Sequence, residues 1–156
     1  MKAGFLTIVY LFVFIHLSYS QKTTILKTKN GTLEINPISH GSLILTYQNT
    51  TIYVDPYGGV KLYKGIKAPD IVLITDIHGD HLDIKTLDSI DTSNAIFIAP
   101  QAVANQISEK YKSKITVLNN EQGVHRFDIF IKAIPMYNLP ENPPSPKHPK
   151  GRGNGY

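Results

Sequence analysis

Asp70-Ile-Val-Leu-Ile-Thr-Asp-Ile-His-Gly-Asp-His-Leu-Asp83 is the stretch that decides how this chain folds and what it does. Its first part, residues 70–75, is the kind of near-continuous apolar run that a parallel sheet buries on both faces. Its second part sets four metal-capable side chains, Asp76, His78, Asp80 and His81, within six positions. They follow the carboxyl end of the strand, the edge of an α/β sheet where ligands bind. An extended exit would aim residues 76, 78 and 80 to one side. Gly79 would relieve a tight bend, and His81 would turn with the start of the next helix. One loop then presents ligands to two adjacent metal positions.

Working downstream, Leu82 to Asp91 reads as a helix with Leu82, Leu87 and Ile90 inward. Ala95–Ala99 is a second buried strand. Pro100 suits the first helical position, and Val103, Ile107 and Tyr111 then recur on one helical face. Ile115–Leu118 is a third strand. The order β-α-β-α-β implies right-handed crossovers and parallel pairing. Ile129–Ile134 reads as a further strand, and His125 as a solvated turn residue. Residues 135–149 hold six of the ten prolines and read as an irregular loop. Upstream, Thr23–Thr28 and Thr32–Asn36 flank Asn30-Gly31, a strong hairpin signal. Ser42–Tyr47 and Thr51–Val54 form a second pair around Gln48-Asn49, and residues 55–69 form a loop. The expected fold class is α/β: antiparallel hairpins followed by β-α-β-α-β.

Composition narrows the chemistry. The 156 residues are 42% hydrophobic and 18% charged, a globular and not a disordered mix. With no cysteine, disulfides, thiolate zinc sites, iron–sulfur clusters and a Cys nucleophile are excluded. Any metal must be held by His, Asp, Glu or backbone oxygen. The net charge of +4 forms no basic helix or stripe, which argues against a nucleic-acid partner. Lys2, the apolar run Phe5–Leu17 and the small residues Ser18 and Ser20 read as a signal peptide over residues 1–20. The apolar run is too short to span a bilayer with comfort. The expectation is a secreted or periplasmic domain over residues 21–156, with no membrane association after cleavage.

Imidazole nitrogen and carboxylate oxygen without sulfur suit a first-row divalent ion. Such an ion lowers the pKa of bound water from about 15.7 to about 7, which supplies hydroxide at neutral pH. Asp76-Ile-His78-Gly-Asp80-His81 resembles the His-x-His-x-Asp-His motif of the metallo-β-lactamase-fold hydrolases. Ile38-Ser-His40-Gly-Ser42 and Tyr53-Val-Asp55-Pro56 resemble the opening motifs of that superfamily, with the ascorbate-6-phosphate lactonase-like branch the nearest in flavour. The resemblance covers about residues 32–156.

It implies an αβ/βα sandwich, of which this sequence looks like the N-terminal half. It also implies hydrolysis of an ester, lactone, amide or phosphodiester by metal-bound hydroxide on a small-molecule substrate. Asp76 and His78 would serve a first metal, and Asp80 and His81 a second. Asp80 would be the catalytic residue near the nucleophilic water. His148 would be a further ligand of the first metal, Asp55 a buried carboxylate supporting the loop, and His40 a structural or supporting residue. The implied cofactor is zinc, one or two ions in a complete protein. Asp76 stands where the family has His, which leaves manganese, magnesium or iron open. The family also uses a bridging Asp and a last His from later strands, which this sequence does not contain. The expected protein is therefore a C-terminally incomplete chain, weakly active or inactive by itself. A non-catalytic secreted metal-binding or interaction module remains the other reading. The plainer alternative for the motif is that Asp80 or Asp83 merely caps the helix starting near Leu82 and the histidines are polar loop residues beside it.

Overall fold

The computed structural model describes residues 22–140, 144 and 147–156. The expected signal peptide lies outside the described residues. The first four strands are two hairpins in sequence: β1 (Thr24–Thr28), β2 (Gly31–Ser39), β3 (Ser42–Tyr47) and β4 (Thr50–Val54), each antiparallel to the next. The hairpin forms where Asn30-Gly31 signals it, but its two-residue turn is Lys29-Asn30, and Gly31 (φ 147°) already pairs with Thr28 as the first residue of β2. A 3-10 turn, Val60–Tyr63, interrupts the loop that follows. The chain then pairs in parallel. β5 (Ile71–Leu73) lies beside β4, β6 (Ile96–Ala99) beside β5, and β7 (Ile115–Val117) beside β6. The seven strands stand in chain order across one mixed sheet. Helix α1 (Ile84–Ser89) crosses from β5 to β6, and α2 (Gln101–Gln106) with α3 (Glu109–Lys112) from β6 to β7. Two small ladders follow: β8 (Gly123–Arg126) with β9 (Ile129–Lys132), and β10 (Ile134–Met136) with β11 (Gly153–Gly155).

The sheet is covered on both faces at its central strands, which is why residues 70–75 carry so few polar side chains, while β1 at its edge is exposed. Val72, Ile74 and Phe97 pack with Leu87, Val103 and Tyr111 of the helices. On the other face Ile71, Leu73 and Ile98 pack with Leu118, Ile131 and Ala133. Burying a Val, Leu, Ile or Phe side chain contributes about 1.5–3 kcal/mol, so these central strands are a rigid base for whatever leaves their carboxyl ends.

Some local expectations are corrected. The helix expected through Tyr111 breaks at Ile107 and Ser108, both with extended ψ (148° and 142°). Val103, Ile107 and Tyr111 are nonetheless all buried; packing is satisfied by two short helices instead of one. Pro100 sits one residue before α2, in the cap position. Ile129–Ile134 is two strands, because buried Ala133 turns its backbone to the 121–122 turn: its N–H donates to the Gln122 carbonyl at 2.8 Å, and its own carbonyl accepts from Glu121 N at 2.8 Å. Pro135 and Met136 belong to β10 and not to an irregular loop. His125 is exposed in strand β8, with its ring 4.8 Å from that of Phe130.

An apolar cleft of about 500 Å³ opens beside the hairpins, lined by Leu33, Leu45, Tyr47, Ile52, Ile129 and Phe130 among others, and its described lining holds no histidine. Among the described residues, no helix is long and apolar enough to cross a membrane.

Candidate metal centre

The carboxyl ends of β4 and β5 meet at one carboxylate. Asp55 follows β4 directly, is buried and has φ 44°, a left-handed conformation that Asp tolerates better than most residues. Its carboxylate accepts from Thr75 N (2.8 Å), Thr75 Oγ1 (2.5 Å) and His81 Nδ1 (2.8 Å). It thereby ties the strand exit to the motif histidine. With Nδ1 committed to Asp55, Nε2 is the His81 nitrogen left to act as a donor. It lies 3.9 Å from Asp80 Oδ2.

The motif loop is a tight turn, not an extended exit. His81 N and Leu82 N both donate to the His78 carbonyl, at 2.9 and 2.7 Å. A Cβ at Gly79 would meet nothing within 4 Å, so the turn does not depend on glycine there. The cap of α1 is Asp83, which accepts from Thr86 N at 3.1 Å and Thr86 Oγ1 at 2.6 Å. Asp80 is left half-exposed on the wall of a cleft of about 480 Å³ with His78, His81, Lys147 and His148.

His148 comes from the proline-rich segment. Asn138 holds it: Asn138 N donates to the His148 carbonyl (2.9 Å), and His148 N donates to Asn138 Oδ1 (2.7 Å). Its Nε2 then sits 3.3 Å from His78 Nδ1, and its ring centroid is 5.9 Å from that of His81. Burial, helped by His78, His81 and Arg152 and opposed by the Asp76 charge, pushes the His148 imidazole below its ordinary pKa, which favours the neutral form that binds a cation.

Asp76 is the exception among the expected ligands. It is fully buried beneath the cleft, with Oδ1 3.1 Å from His78 Nδ1. Ligand atoms of Asp76, His78 and His148 lie within 4.8 Å of one another. Ligands at about 2.0–2.1 Å from one ion are at most about 4 Å apart. The donor types therefore suit a divalent ion, and the set must draw in slightly to hold it.

Three residues outside the motif complete the centre. Arg152 Nε donates to Asp76 Oδ2 at 3.2 Å and Nη2 to Oδ1 at 3.1 Å; Nη2 is also 3.5 Å from His78 Nε2. Asn138 positions His148. Gly153 lets β11 lie against the motif strand, where Asn154 N donates to the Thr75 carbonyl at 2.9 Å. The sequence carries only a partial signal for Arg152. A carboxylate at the end of a buried strand needs a counter-charge, and the chain has only two arginines, Arg126 and Arg152.

Two predictions arise here. A Cβ at Gly153 would sit 2.5 Å from Met136 Cε, 2.9 Å from Asp76 Oδ2 and 3.0 Å from the Thr75 carbonyl. Gly153→Ala is expected to cost about 1–3 kcal/mol, read as a lower denaturant midpoint with an unchanged slope. The hydrogen bond to Asp55, reinforced by the charges of Asp55, Asp80 and Asp76, holds His81 above its ordinary pKa against the opposing effect of burial. In the metal-free protein a raised folded pKa means the protonated ring stabilises the fold. That contribution is complete below the unfolded value of about 6.5 and is lost as pH rises through the folded value. An NMR titration of His81 should give a midpoint above about 6.5 that falls when Asp55 is replaced by Asn.

Comparison with known proteins agrees with this geometry. Residues 34–156 match the Beta-lactamase superfamily domain. A metal-dependent hydrolase of the UPF0173 group from Lysinibacillus sphaericus is 34% identical over 80 residues, covering 49% of this chain and 35% of the relative. A second from Pyrococcus horikoshii is 34% identical over 94 residues, covering 60% and 40%. The solved structure of a Parabacteroides distasonis protein assigned as a metal-dependent hydrolase superposes with a TM-score of 0.70 at 35% identity, over 86% of this chain and 60% of that one. CmlA, a diiron β-hydroxylase from Streptomyces venezuelae, shares the fold at 15% identity with a TM-score of 0.61, over 81% of this chain and 27% of its own. The matched region thus spans well under half of the two curated relatives and about three-fifths of the first solved structure. With the mixed sheet, the motif turn at its carboxyl edge and a profile match over most of its length, the chain belongs to the beta-lactamase superfamily.

Proposed function

We propose that this chain carries the metal-binding loop of an exported metal-dependent hydrolase acting on an ester, lactone, amide or phosphodiester. The observation that carries the reading is the meeting of His78 and His148, 70 residues apart in sequence, with ring nitrogens 3.3 Å from each other beside His81 and Asp80. His78, His148 and Asp76 would hold one ion, and His81 with Asp80 a second. A bound divalent ion supplies a more acidic water and polarises the scissile oxygen. The chain's own groups do the rest. Asp55 fixes the His81 ring so that Nε2 serves as donor. Asp80, half-exposed on the cleft wall, would accept a proton from the attacking water. The small-molecule substrate, zinc as the favoured ion, secretion or periplasmic residence, and weak or absent turnover by these 156 residues alone are parts of the same proposal.

One observation favours the non-catalytic alternative: both carboxylate oxygens of Asp76 are engaged by Arg152. Metal content of the purified protein, with turnover of a chromogenic ester and a phosphodiester, separates the two readings. Stoichiometric metal with turnover that His78→Ala abolishes supports the enzyme. Metal without turnover, from a gene whose reading frame is verified to stop after codon 156, supports the binding module. Absence of bound metal defeats the enzyme and the metal-binding form of the alternative, and leaves only an interaction module.

A further inference from the structure

We propose that Arg152 is a built-in competitor for the first metal position: its guanidinium neutralises Asp76 in the metal-free protein and must leave Asp76 for a divalent ion to be held there. The inference rests on the reading of Asp76, His78 and His148 as a metal site, and adds a residue that no ligand motif contains.

The argument begins with charge. Asp76 is fully buried, and an isolated buried carboxylate is several kcal/mol too costly to keep ionised. The forked pair with Arg152, at 3.2 and 3.1 Å, removes that cost. The same nitrogen, Nη2, reaches to 3.5 Å from His78 Nε2. One guanidinium thus touches two of the three side chains that would surround an ion. The donor set is also wider than an ion needs, at up to 4.8 Å, as expected when a planar cation already satisfies its acidic member. An ion and the guanidinium cannot both take the Asp76 oxygens, because each needs their lone pairs along the same approach.

The arginine has a way out. Its side chain is partly exposed, and it also donates to the carbonyl of Lys147 at the cleft rim. Gly151, with φ 83°, precedes it. Rotation toward the cleft therefore keeps the guanidinium solvated while the incoming ion takes over Asp76, and the buried carboxylate is never left without a cation. The Asp at position 76 and the Arg at position 152 are on this account one device. It lowers affinity for the ion and keeps the empty site folded.

Zinc titration of the purified protein, its Arg152→Gln variant and its Arg152→Lys variant tests this, read by calorimetry and by the side-chain Nε–H resonances. With only two arginines in the chain, Arg126 serves as the internal reference. The expected result is a zinc Kd at least about 10-fold tighter in Arg152→Gln than in the parent, with Arg152→Lys between them. In the parent, the Arg152 Nε–H signal should be protected before zinc and lost or shifted at saturation while Arg126 stays in place. Equal or weaker zinc binding by a folded Arg152→Gln overturns the proposal. So does an Arg152 signal that zinc leaves unchanged, an arm that needs no variant to fold. If the parent binds zinc with Arg152 undisturbed, only the competitor is wrong. If neither the parent nor the variants bind zinc, the metal reading itself is wrong.

Discussion

Asp55→Ala is expected to lower the melting temperature by about 10 °C or more. The carboxylate is buried and satisfies three donors, the Thr75 amide, the Thr75 hydroxyl and His81 Nδ1. Alanine fills none of them. Removing one partner from a buried charged network costs about 3–5 kcal/mol, and in a domain of this size each kcal/mol is worth roughly 2–4 °C or slightly more. Asp55→Asn should recover part of the loss, because its amide oxygen still accepts from Thr75 N. Its NH₂ group opposes the His81 N–H, however, and forces the ring into the other tautomer. Calorimetry measures both variants. A drop under about 2 °C in Asp55→Ala would mean that the carboxylate is not what holds the turn.

His78→Ala is expected to weaken zinc binding by at least about 100-fold, since even residues that only support a ligand cost 10–100-fold when removed. His78 reaches both Asp76 and His148, at 3.1 and 3.3 Å. Its loss leaves Asp76 to Arg152 and His148 alone on its loop. His40→Ala is the matched control. His40 is exposed in the β2–β3 turn with φ 51°, and its ring packs edge-on to Tyr57 at 5.0 Å, so zinc affinity should stay unchanged. Competition against a chromophoric chelator reads both. Equal loss in the two variants would point to a general surface effect instead of a site.

The sequence disclosed the parts governed by local rules. The first hairpin and the apolar runs of β5 and β6 are dictated by residues next to one another and lie where their patterns put them, whereas the ligand-dense segment follows β5 as a tight turn and not as the extended exit its alternation suggested. That Asp55 supports the motif loop followed from the resemblance and not from spacing; that it does so through His81 Nδ1 is visible only in the structure. Long-range geometry decided the rest. The Val103–Tyr111 stripe is compatible with one helix or two, since packing rewards the buried side chains and not the continuity between them. Pro135 reads as a strand breaker, yet it lies in β10 opposite Asn154, a two-stranded pairing beyond the reach of local pattern. Gly79 reads as the residue that relieves a tight bend, yet a Cβ there would meet nothing within 4 Å, while at this site steric contact requires Gly153, 77 positions away from Asp76. Arg152 was missed for the same reason: its partner is remote, and only the burial of Asp76 makes the pairing necessary.

The most direct test of the central claim, that the turn after β5 and the His148 loop grip one cation, is zinc X-ray absorption of the protein loaded at one equivalent. The account predicts a first shell of nitrogen and oxygen at about 2.0–2.1 Å with imidazole scattering from at least two histidines, losing one of them in His148→Ala. A shell without imidazole, or zinc that washes out below one equivalent, would contradict it.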